Sequence, residues 1–369
     1  MFIRGKSAIY YKICFSSALL IVLGSVFLLS SSVSYGLSEA GNPLLYFEKR
    51  IVWIILGLIC IYLINRIGLE KIKKYSFFIF LFSLLLLPLP AFFHQLRWIK
   101  IGPLSFQPAE LVKLTFVIFL ADFLSRKDKE INNWKILIIP VSFLLLITGI
   151  LQLQKDLGTF VIIGAIFFFL LFLAGLKFRY ITLFTVFGIV LLTVLVLIFP
   201  YRMDRIKIYL NPSIDAKGKG YQIIQSKITL GSGGIFGKGL GAGERKLKFL
   251  PVAHKDYIYA IVGEEAGFIG TSLILILFSI LVFSAFEVSK LSKNKFEKYL
   301  SAGIGALFGF QFLLHAFVVL SIIPSKGTTL PFFSKGGSSF LVNFLTLGLL
   351  IIIARKTCLK VDFEDILVF

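Results

Sequence analysis

Ten long apolar runs constrain the fold of this chain more than any other feature of its sequence. They lie at residues 10–32, 51–68, 75–93, 111–125, 136–153, 159–176, 180–201, 257–286, 300–323 and 340–354. A helix needs about 20 predominantly apolar residues to cross a lipid bilayer, and most of the runs approach that length. Prolines inside two of the runs are compatible with membrane helices, because neighbouring helices satisfy the freed backbone groups. The runs predict an all-α polytopic membrane protein with about ten transmembrane helices.

Composition agrees with a membrane protein and excludes other classes. The 369 residues are 57% hydrophobic, 15% aromatic and 16% charged, with a mean hydropathy of +0.92. A soluble globular domain has about 45–50% apolar and roughly 25% charged residues. These values exclude a soluble or disordered protein, and also a nucleic-acid-binding protein despite the net charge of +20. Ten spans leave room for one sizeable loop, so we predict a single membrane domain over residues 1–369.

The three cysteines, Cys14, Cys60 and Cys358, give no sign of a disulfide framework or a metal centre. They are far apart in the sequence, and none has a CxxC or other metal-ligand spacing. The chain begins with basic residues before an apolar run that is longer than the core of a signal peptide. We interpret that run as an uncleaved first span.

The distribution of Lys and Arg predicts the orientation of the chain. With the N-terminus in the cytoplasm, the cytoplasmic segments hold 20 basic residues and the short outer loops hold seven. Short loops rich in Lys and Arg stay on the cytoplasmic side of a membrane. Both termini are therefore predicted to be cytoplasmic. One large extracytoplasmic loop, at about 202–256, then lies between the seventh and eighth helices and holds eleven basic and four acidic residues.

Ionisable side chains inside or at the rim of a membrane are costly and are usually functional. In this sequence they concentrate in five patches on the predicted outer side. In the first patch, Arg97 precedes Glu110 and Lys113, which are three residues apart and share one face of a helix. That pair either stabilises a helix that begins in lipid or lines a polar cavity. In the second patch, Asp156 either caps the following helix or contributes to such a cavity.

The next two patches belong to the outer segment and the eighth span. The segment 231–241 lacks the spacing of a Walker loop, so it is either a flexible loop or a cradle for an anion. Asp256, which follows His254, is either a helix cap or a functional carboxylate. Glu264 and Glu265 point to different faces of their helix, so at least one of them needs a partner or a cavity.

The fifth patch is a loop over 324–339 with two prolines and three glycines. Non-helical backbone at membrane depth must pack in protein or line water. His315, on the preceding helix, is either a hydrogen-bonded packing residue or a functional one. Together the patches indicate one polar site beside lipid, which suits an amphiphile with an anionic head and a long tail. The residues alone leave open a transporter or a membrane-lipid enzyme.

The motifs within these patches occur in a fixed order along nearly the whole chain. They are Arg97-Trp98-Ile99, Gln107-Pro108-Ala109-Glu110, Asp156-Leu157-Gly158-Thr159, Gly220-Tyr221-Gln222, Gly231-Ser232-Gly233-Gly234, Gly237-Lys238-Gly239-Leu240-Gly241, Leu250-Pro251 with His254 and Asp256, Gly263-Glu264-Glu265, Pro331-Phe332 and Gly336-Gly337-Ser338-Ser339. This set resembles the SEDS family of bacterial cell-wall proteins, which includes FtsW, RodA and SpoVE. Ala253 and the amino-acid sequence of residues 324–331 are most similar to the division protein FtsW.

The resemblance implies a multi-pass protein of the bacterial plasma (inner) membrane that polymerises lipid II into glycan strands during septal or elongation cell-wall synthesis. It also implies a partner, a class B penicillin-binding protein that supplies the transpeptidase. The catalytic carboxylate of the family corresponds to Asp256. The predicted substrate-binding residues are Glu110, Lys113, Asp156, Arg50, Arg97, His254, Ser338 and Ser339.

The implied reaction is an inverting glycosyl transfer. We predict that Asp256 is the general base for the attacking sugar hydroxyl, because partial desolvation raises its basicity. Cations then neutralise the departing pyrophosphate. By analogy with other glycosyltransferases a divalent cation, Mg²⁺ or Mn²⁺, is an optional cofactor, although no ligand cluster requires one. Two alternatives remain, a lipid II flippase and a non-catalytic scaffold that recruits the transpeptidase.

The chain departs from the family pattern at three positions on the outer side. The family usually has Pro, Asn and Tyr where this chain has Lys155, His315 and Lys335. Each departure adds a potential cation near the predicted site. The catalytic set itself is intact, so activity is expected.

Overall fold

The computed structural model describes residues 2–92, 97–101, 104–215, 218–243, 253–324 and 326–359. The helices are α1 (Phe2–Ala40), α2 (Leu45–Ile67), α3 (Leu69–Lys74), α4 (Ser76–Leu86), α5 (Leu89–Phe92), α6 (Pro108–Lys127), α7 (Trp134–Leu153), α8 (Leu157–Leu173), α9 (Phe178–Ile198), α10 (Pro200–Leu210), α11 (Lys219–Ser232), α12 (Ala253–Asp256), α13 (Ile258–Leu291), α14 (Lys295–Val319) and α15 (Gly337–Cys358). Two short strands, β1 (Ile99–Ile101) and β2 (Leu104–Phe106), form an antiparallel hairpin before α6.

The ten apolar runs fall on helices of the described residues, so the predicted polytopic α-helical architecture is confirmed. Six of these helices are long and apolar enough to cross a membrane, namely α1 from Lys6 onward, α2, α7, α13, α14 and α15. Shorter apolar helices, α4 with α5, α8 and α9, account for three more runs. The remaining run is α6, whose 20 residues include charged side chains.

The core of the bundle forms around α6. Fifteen of its 20 residues are buried. Phe119 of this helix stacks on Phe80 of α4 with ring centroids 4.8 Å apart, and Phe143 of α7 meets Phe80 edge-on at 5.2 Å. By contrast, α2 leaves Ile55 and Leu58 54% and 56% exposed. An apolar surface of this kind faces lipid in a membrane bundle.

Helix α13 is broken near its start, and the glycine-rich segment after α11 fills the break. Gly267 adopts φ 66° and ψ −161°, which interrupts the helical hydrogen bonds. The amides of Lys238 and Gly239 donate to the carbonyls of Glu264 and Glu265 at 2.9 and 3.0 Å. The Lys238 ammonium also pairs with the Glu264 carboxylate at 3.0 Å. These contacts favour an ordered structural segment over a flexible loop or an anion cradle.

Candidate functional site

The predicted site residues lie at one end of the bundle, where the starts of α2, α6, α8 and α15 meet the loop after α14. Hydrogen bonds between segments that are distant in the sequence hold the loop and the helices together at this end. The amide of Gln107 donates to Ser338 Oγ at 3.1 Å, and Ser334 Oγ donates to the carbonyl of Lys255 at 2.6 Å. The loop and its following helix are thereby attached to α6 and to α12.

A small cavity, here named the carboxylate cavity, opens between α6, α8, α14 and that loop. Its volume is about 30 Å³, and its lining residues are Gln107, Glu110, Lys113, Asp156, Thr159, Ile162, Gln311, Gly327, Thr328 and Thr329. Glu110 and Lys113 form a buried ion pair with a distance of 3.0 Å between Oε2 and Nζ. The pair lines the cavity and also lies in the first turns of α6. Each charge compensates the other, because a single unpaired charge buried at this position would be strongly destabilising.

Asp156 caps α8 and lines the same cavity. Its Oδ1 accepts the amide of Thr159 at 3.3 Å, and its Oδ2 accepts the Thr159 hydroxyl at 3.0 Å. A carboxylate at this position also suits the positive end of the helix. Arg97 braces the turn before it, because its Nε donates to the carbonyl of Gln154 at 3.1 Å and its Nη2 to that of Lys155. Arg97 therefore helps to position Asp156.

Asp256 borders the carboxylate cavity from the end of α12. A Cβ atom built on Gly327, which lines the cavity, would lie 3.3 Å from both Asp256 carboxylate oxygens. Within the described residues no hydrogen bond reaches this carboxylate. Burial raises the pKa of Asp256 from 3.8 to about 6, and the charges of Lys255 and Arg97 offset part of the rise. The carboxylate is thus a stronger base than an ordinary aspartate and stays ionised at neutral pH.

Arg50 holds the loop after α14 and does not line the carboxylate cavity. Its guanidinium donates to the carbonyls of Phe332, Phe333 and Ser334 at 3.0, 2.7 and 3.1 Å. It also lies 4.2 Å from the ring centroid of Phe340. These contacts account for a buried arginine at the start of α2 and make Arg50 a positioning residue for the loop.

The serines predicted to bind substrate lie buried in the first turn of α15. Ser338 Oγ accepts the Gln107 amide, and Ser339 Oγ donates to the carbonyl of Gly336 at 3.1 Å. Neither serine lines the carboxylate cavity. The side chain of His254 lies outside the described part of the structure.

A second and larger cavity, here named the cationic cleft, has a volume of about 620 Å³. Its lining residues are Leu28, Glu39, Tyr46, Lys49, Arg50, Val52, Trp53, Leu56, Trp98, Ser105, Lys255, Lys335, Gly336, Gly337 and Phe340. The last two residues of α12 face different cavities, since Lys255 lines the cleft and Asp256 borders the carboxylate cavity.

Comparison with known proteins establishes the family. A model of the FtsW, RodA and SpoVE proteins, described as cell cycle protein, matches residues 11–358. The chain belongs to this family. It is 36% identical over 344 residues to the probable peptidoglycan glycosyltransferase FtsW of Buchnera aphidicola, covering 91% of this chain and 95% of the relative.

Solved structures of the FtsW/RodA/SpoVE family have the same fold. The chain matches a solved structure of a peptidoglycan synthase complex that coordinates polymerization and crosslinking. The TM-score is 0.75 and the identity 28%, and the match covers 94% of this chain and 98% of that one. It matches the rod shape determining protein RodA of Thermus thermophilus with a TM-score of 0.68, 26% identity and coverage of 94% and 96%. Like these relatives, the chain is a multi-pass membrane protein.

Three cations near the carboxylate cavity were not among the predicted site residues. The pKa of Lys326 is lowered to about 8 by burial and by Arg205 and Arg202, while Asp156 opposes the shift. Arg202 is buried and its Nη2 donates to Gln152 Oε1. The sequence held one signal for Lys326, its place between a proline and a glycine in a non-helical loop. Nothing local singled out the two arginines, and the hydrogen bond from Arg202 to Gln152 that joins α10 to the end of α7 connects residues 50 positions apart.

The departures from the family pattern have different surroundings. His315 is fully buried, and its Nδ1 donates to the carbonyl of Thr328 at 2.8 Å, so it supports the loop. The Lys155 ammonium lies 5.5 Å from the ring centroid of Tyr201. Lys335 lines the cationic cleft.

The described residues do not fit a divalent-cation site. Among them no three His, Cys, Asp or Glu side chains group together as metal ligands. The cavity carboxylates are engaged otherwise, Glu110 by Lys113 and Asp156 by the first turn of α8. The optional Mg²⁺ or Mn²⁺ stays a prediction, and no step proposed below runs through a metal.

Proposed function

We propose that this protein is a peptidoglycan glycosyltransferase that polymerises lipid II at the outer face of the bacterial plasma membrane. The observation that carries the proposal is the Asp256 carboxylate at the border of a buried cavity that holds Glu110, Lys113 and Asp156. The names of its FtsW relatives support the same activity.

In the proposed reaction Asp256 accepts the proton of the 4-hydroxyl of one lipid II sugar. The hydroxyl oxygen forms a bond to the anomeric carbon of the growing strand, and the bond from that carbon to the polyprenyl pyrophosphate breaks. One displacement with one base inverts the anomeric centre, whereas a covalent route needs a second carboxylate as nucleophile. The raised pKa of Asp256 suits a general base that works near neutral pH.

Cations at the site neutralise the charge that develops on the departing pyrophosphate. Lys113 is held in the cavity by its pair with Glu110. Arg97 acts electrostatically on Asp256, and Lys326 on Asp156, which places both cations near the reacting groups.

We further propose that the whole chain acts as one membrane domain with both termini in the cytoplasm and the cavity outside. The partner is a class B penicillin-binding protein that crosslinks the strands. The match to a complex that coordinates polymerization with crosslinking supports such a partnership.

Incubation of the purified protein with lipid II, with and without the transpeptidase partner, tests the proposal. Gel analysis should show glycan strands for the wild type and for Asp204→Asn, which alters an exposed carboxylate of α10. Asp256→Asn should remove at least about 99% of the activity, as loss of a general base typically does. Full polymerisation by Asp256→Asn would remove the general-base assignment.

The same preparation separates the alternatives. A flippase would move labelled lipid II across liposomes without forming polymer. If the protein is only a scaffold, cells that carry the Asp256→Ala variant should grow normally. Either result would replace the glycosyltransferase proposal.

A further inference from the structure

The cationic cleft gathers positive charge that the proposed chemistry at Asp256 does not use. Its charged lining residues are four cations, Lys49, Arg50, Lys255 and Lys335, and one carboxylate, Glu39. The guanidinium of Arg50 is engaged by three backbone carbonyls. The Glu39 carboxylate accepts the hydroxyl of Tyr46. The three lysines are therefore the charges that the cleft presents to a ligand.

These lysines lie close enough to repel one another. The Lys335 ammonium lies 3.6 Å from the ring centroid of Tyr46, and that of Lys49 lies 5.8 Å from the same centroid. Burial lowers the pKa of Lys335 to about 8; Glu39 opposes the shift, and Lys255 and Lys49 add to it. Like charges around one partly buried volume are unfavourable in the free protein. An anion bound between them relieves the repulsion and gains charge-assisted hydrogen bonds.

The backbone and the walls of the cleft fit an anion with an apolar tail. Gly336 and Gly337 bring the start of α15 to the cleft, and a helix N-terminus favours negative charge. Trp53 packs directly on that turn, since a Cβ atom on Gly337 would lie 2.2 Å from its indole ring. Val52 and Leu56 line the wall and are 55% and 40% exposed, so the wall continues into the lipid-facing surface of α2.

We propose that the cationic cleft binds the diphosphate of the acceptor lipid II, the molecule that supplies the 4-hydroxyl, with Lys49, Lys255 and Lys335 holding the phosphate oxygens and α2 lying along the polyprenyl chain. The inference rests on the proposed function, because it gives the anionic head of that substrate a place beside the same site. A lipid bound there carries its sugar toward Asp256, the residue that follows Lys255 in α12.

Tryptophan fluorescence provides a direct measure of binding to the cleft. Two of the three tryptophans, Trp53 and Trp98, line it, and Trp134 is exposed at the start of α7. The full chain, as Trp134→Phe, is placed in nanodiscs of neutral lipid. Titration with a long-chain polyprenyl diphosphate should give a saturable change in fluorescence.

Charge substitutions then test the lysines. We expect Lys335→Tyr and Lys255→Gln each to weaken the affinity at least about tenfold, and Lys335→Arg to retain it. Lys227→Tyr is the matched control, because it removes an exposed charge from α11 that lines neither cavity. Unchanged affinity in both Lys335→Tyr and Lys255→Gln, with normal melting temperatures, overturns the proposal.

Two further probes distinguish a lipid head from free phosphate. A polyprenyl monophosphate should bind at least about tenfold more weakly than the diphosphate, and inorganic pyrophosphate more weakly still. Equal affinity for inorganic pyrophosphate and the lipid would overturn the assignment to a lipid substrate.

Polymerisation assays keep this inference separate from the proposed function. If the wild type makes no polymer from lipid II, the proposed function fails whatever binds in the cleft. If polymer forms and Lys335→Tyr shows an unchanged KM, the glycosyltransferase stands and the cleft assignment falls.

Discussion

The Asp256 carboxyl ionises with a pKa of about 6 instead of 3.8, mainly because it is buried. Below a pH of about 4 it is protonated in both the folded and the unfolded chain, and its burial carries no charge penalty. Between pH values of about 4 and 6 the unfolded chain has already ionised this carboxyl, while the folded protein keeps the largely buried group protonated. The folded protein therefore loses stability over this range, by an amount that approaches about 3 kcal/mol at most above pH 6. Asp256→Asn removes this loss while it removes the proposed base.

We therefore expect Asp256→Asn to melt several degrees above the wild type at neutral pH and to converge with it at acidic pH. Thermal unfolding in detergent across the pH range checks this. Asp204→Asn is the control and should follow the wild type at every pH. A variant that melts below the wild type at neutral pH would contradict the ionisation argument. Polymerisation by the wild type should itself rise as the pH passes through about 6, because the base must be unprotonated.

The Glu110–Lys113 pair can be compared with an exposed pair at the other end of α6, formed by its last residue, Lys127, and Glu130 in the 3-10 turn that follows. Lys127 and Glu130 are also three residues apart, with 3.2 Å between their charges, but their side chains are 43% and 56% exposed. Removal of one buried partner costs about 3–5 kcal/mol, whereas an exposed pair contributes about 0–1 kcal/mol. We expect Glu110→Gln to lower the melting temperature strongly and Glu130→Gln to leave it nearly unchanged.

A double-mutant cycle checks the cause of this difference. Lys113→Met added to Glu110→Gln removes the unpaired charge and should recover most of the lost stability, although not the activity. Additive losses in the double variant would mean that the two side chains act independently.

Local spacing predicted these contacts better than it predicted those of Arg50. The pairing of Glu110 with Lys113 and the capping by Asp156 depend on residues within three positions, so helix geometry determines them. Arg50 instead donates to Phe332, which is 282 residues away. A contact of that kind depends on how helices assemble, and no local pattern contains it.

At the scale of elements, the end of α11 and the glycine-rich segment after it should tolerate an alanine at Gly231 but not at Gly233. A Cβ atom on Gly233 would lie 1.9 Å from the carbonyl oxygen of Gly263, whereas one on Gly231 would meet nothing within 4 Å. Neither glycine has a positive φ, so the comparison isolates the close approach to α13. We expect Gly233→Ala to destabilise the fold and Gly231→Ala, within α11, to be neutral or stabilising by up to about 1 kcal/mol.

Thermal unfolding and polymerisation of the two variants test this expectation. Because the segment fills the break in α13, Gly233→Ala should also lower activity by disturbing the helix that follows Asp256. Equal melting temperatures for Gly231→Ala and Gly233→Ala would show that the segment does not need to pack so closely.

Hydropathy predicted the spans because each run must face lipid or the bundle interior whatever its neighbours are. It did not predict the break at Gly267 or the hairpin of β1 and β2. Gly267 can interrupt α13 only because the amides of Lys238 and Gly239 satisfy its carbonyls. Such a break is a property of two segments together, so it becomes visible only in the folded chain.

At the scale of the whole molecule, the two ends of the bundle carry different electrostatics. The end with the carboxylate cavity buries the Glu110–Lys113 pair, at 6% and 3% exposure. The other end carries partly exposed pairs, such as Lys295 with Asp128 at 2.6 Å. The sequence surplus of Lys and Arg belongs to this second end, which we place in the cytoplasm.

Cysteine labelling in intact cells tests that orientation. In a background without Cys14, Cys60 and Cys358, Ser38→Cys places a thiol on the last turn of α1, and Lys129→Cys places one between α6 and α7; both positions are exposed. A membrane-impermeant maleimide should label Ser38→Cys directly. It should label Lys129→Cys only after the cells are permeabilised.

The length of α1 makes this experiment decisive. Its 39 residues extend about 58 Å at 1.5 Å per residue, nearly twice the roughly 30 Å hydrocarbon core, so the helix ends project into water on both sides. If the maleimide labels Lys129→Cys in intact cells and not Ser38→Cys, the carboxylate cavity opens to the cytoplasm. Asp256 would then face away from the compartment in which glycan strands grow, and the proposed polymerisation could not occur at this site.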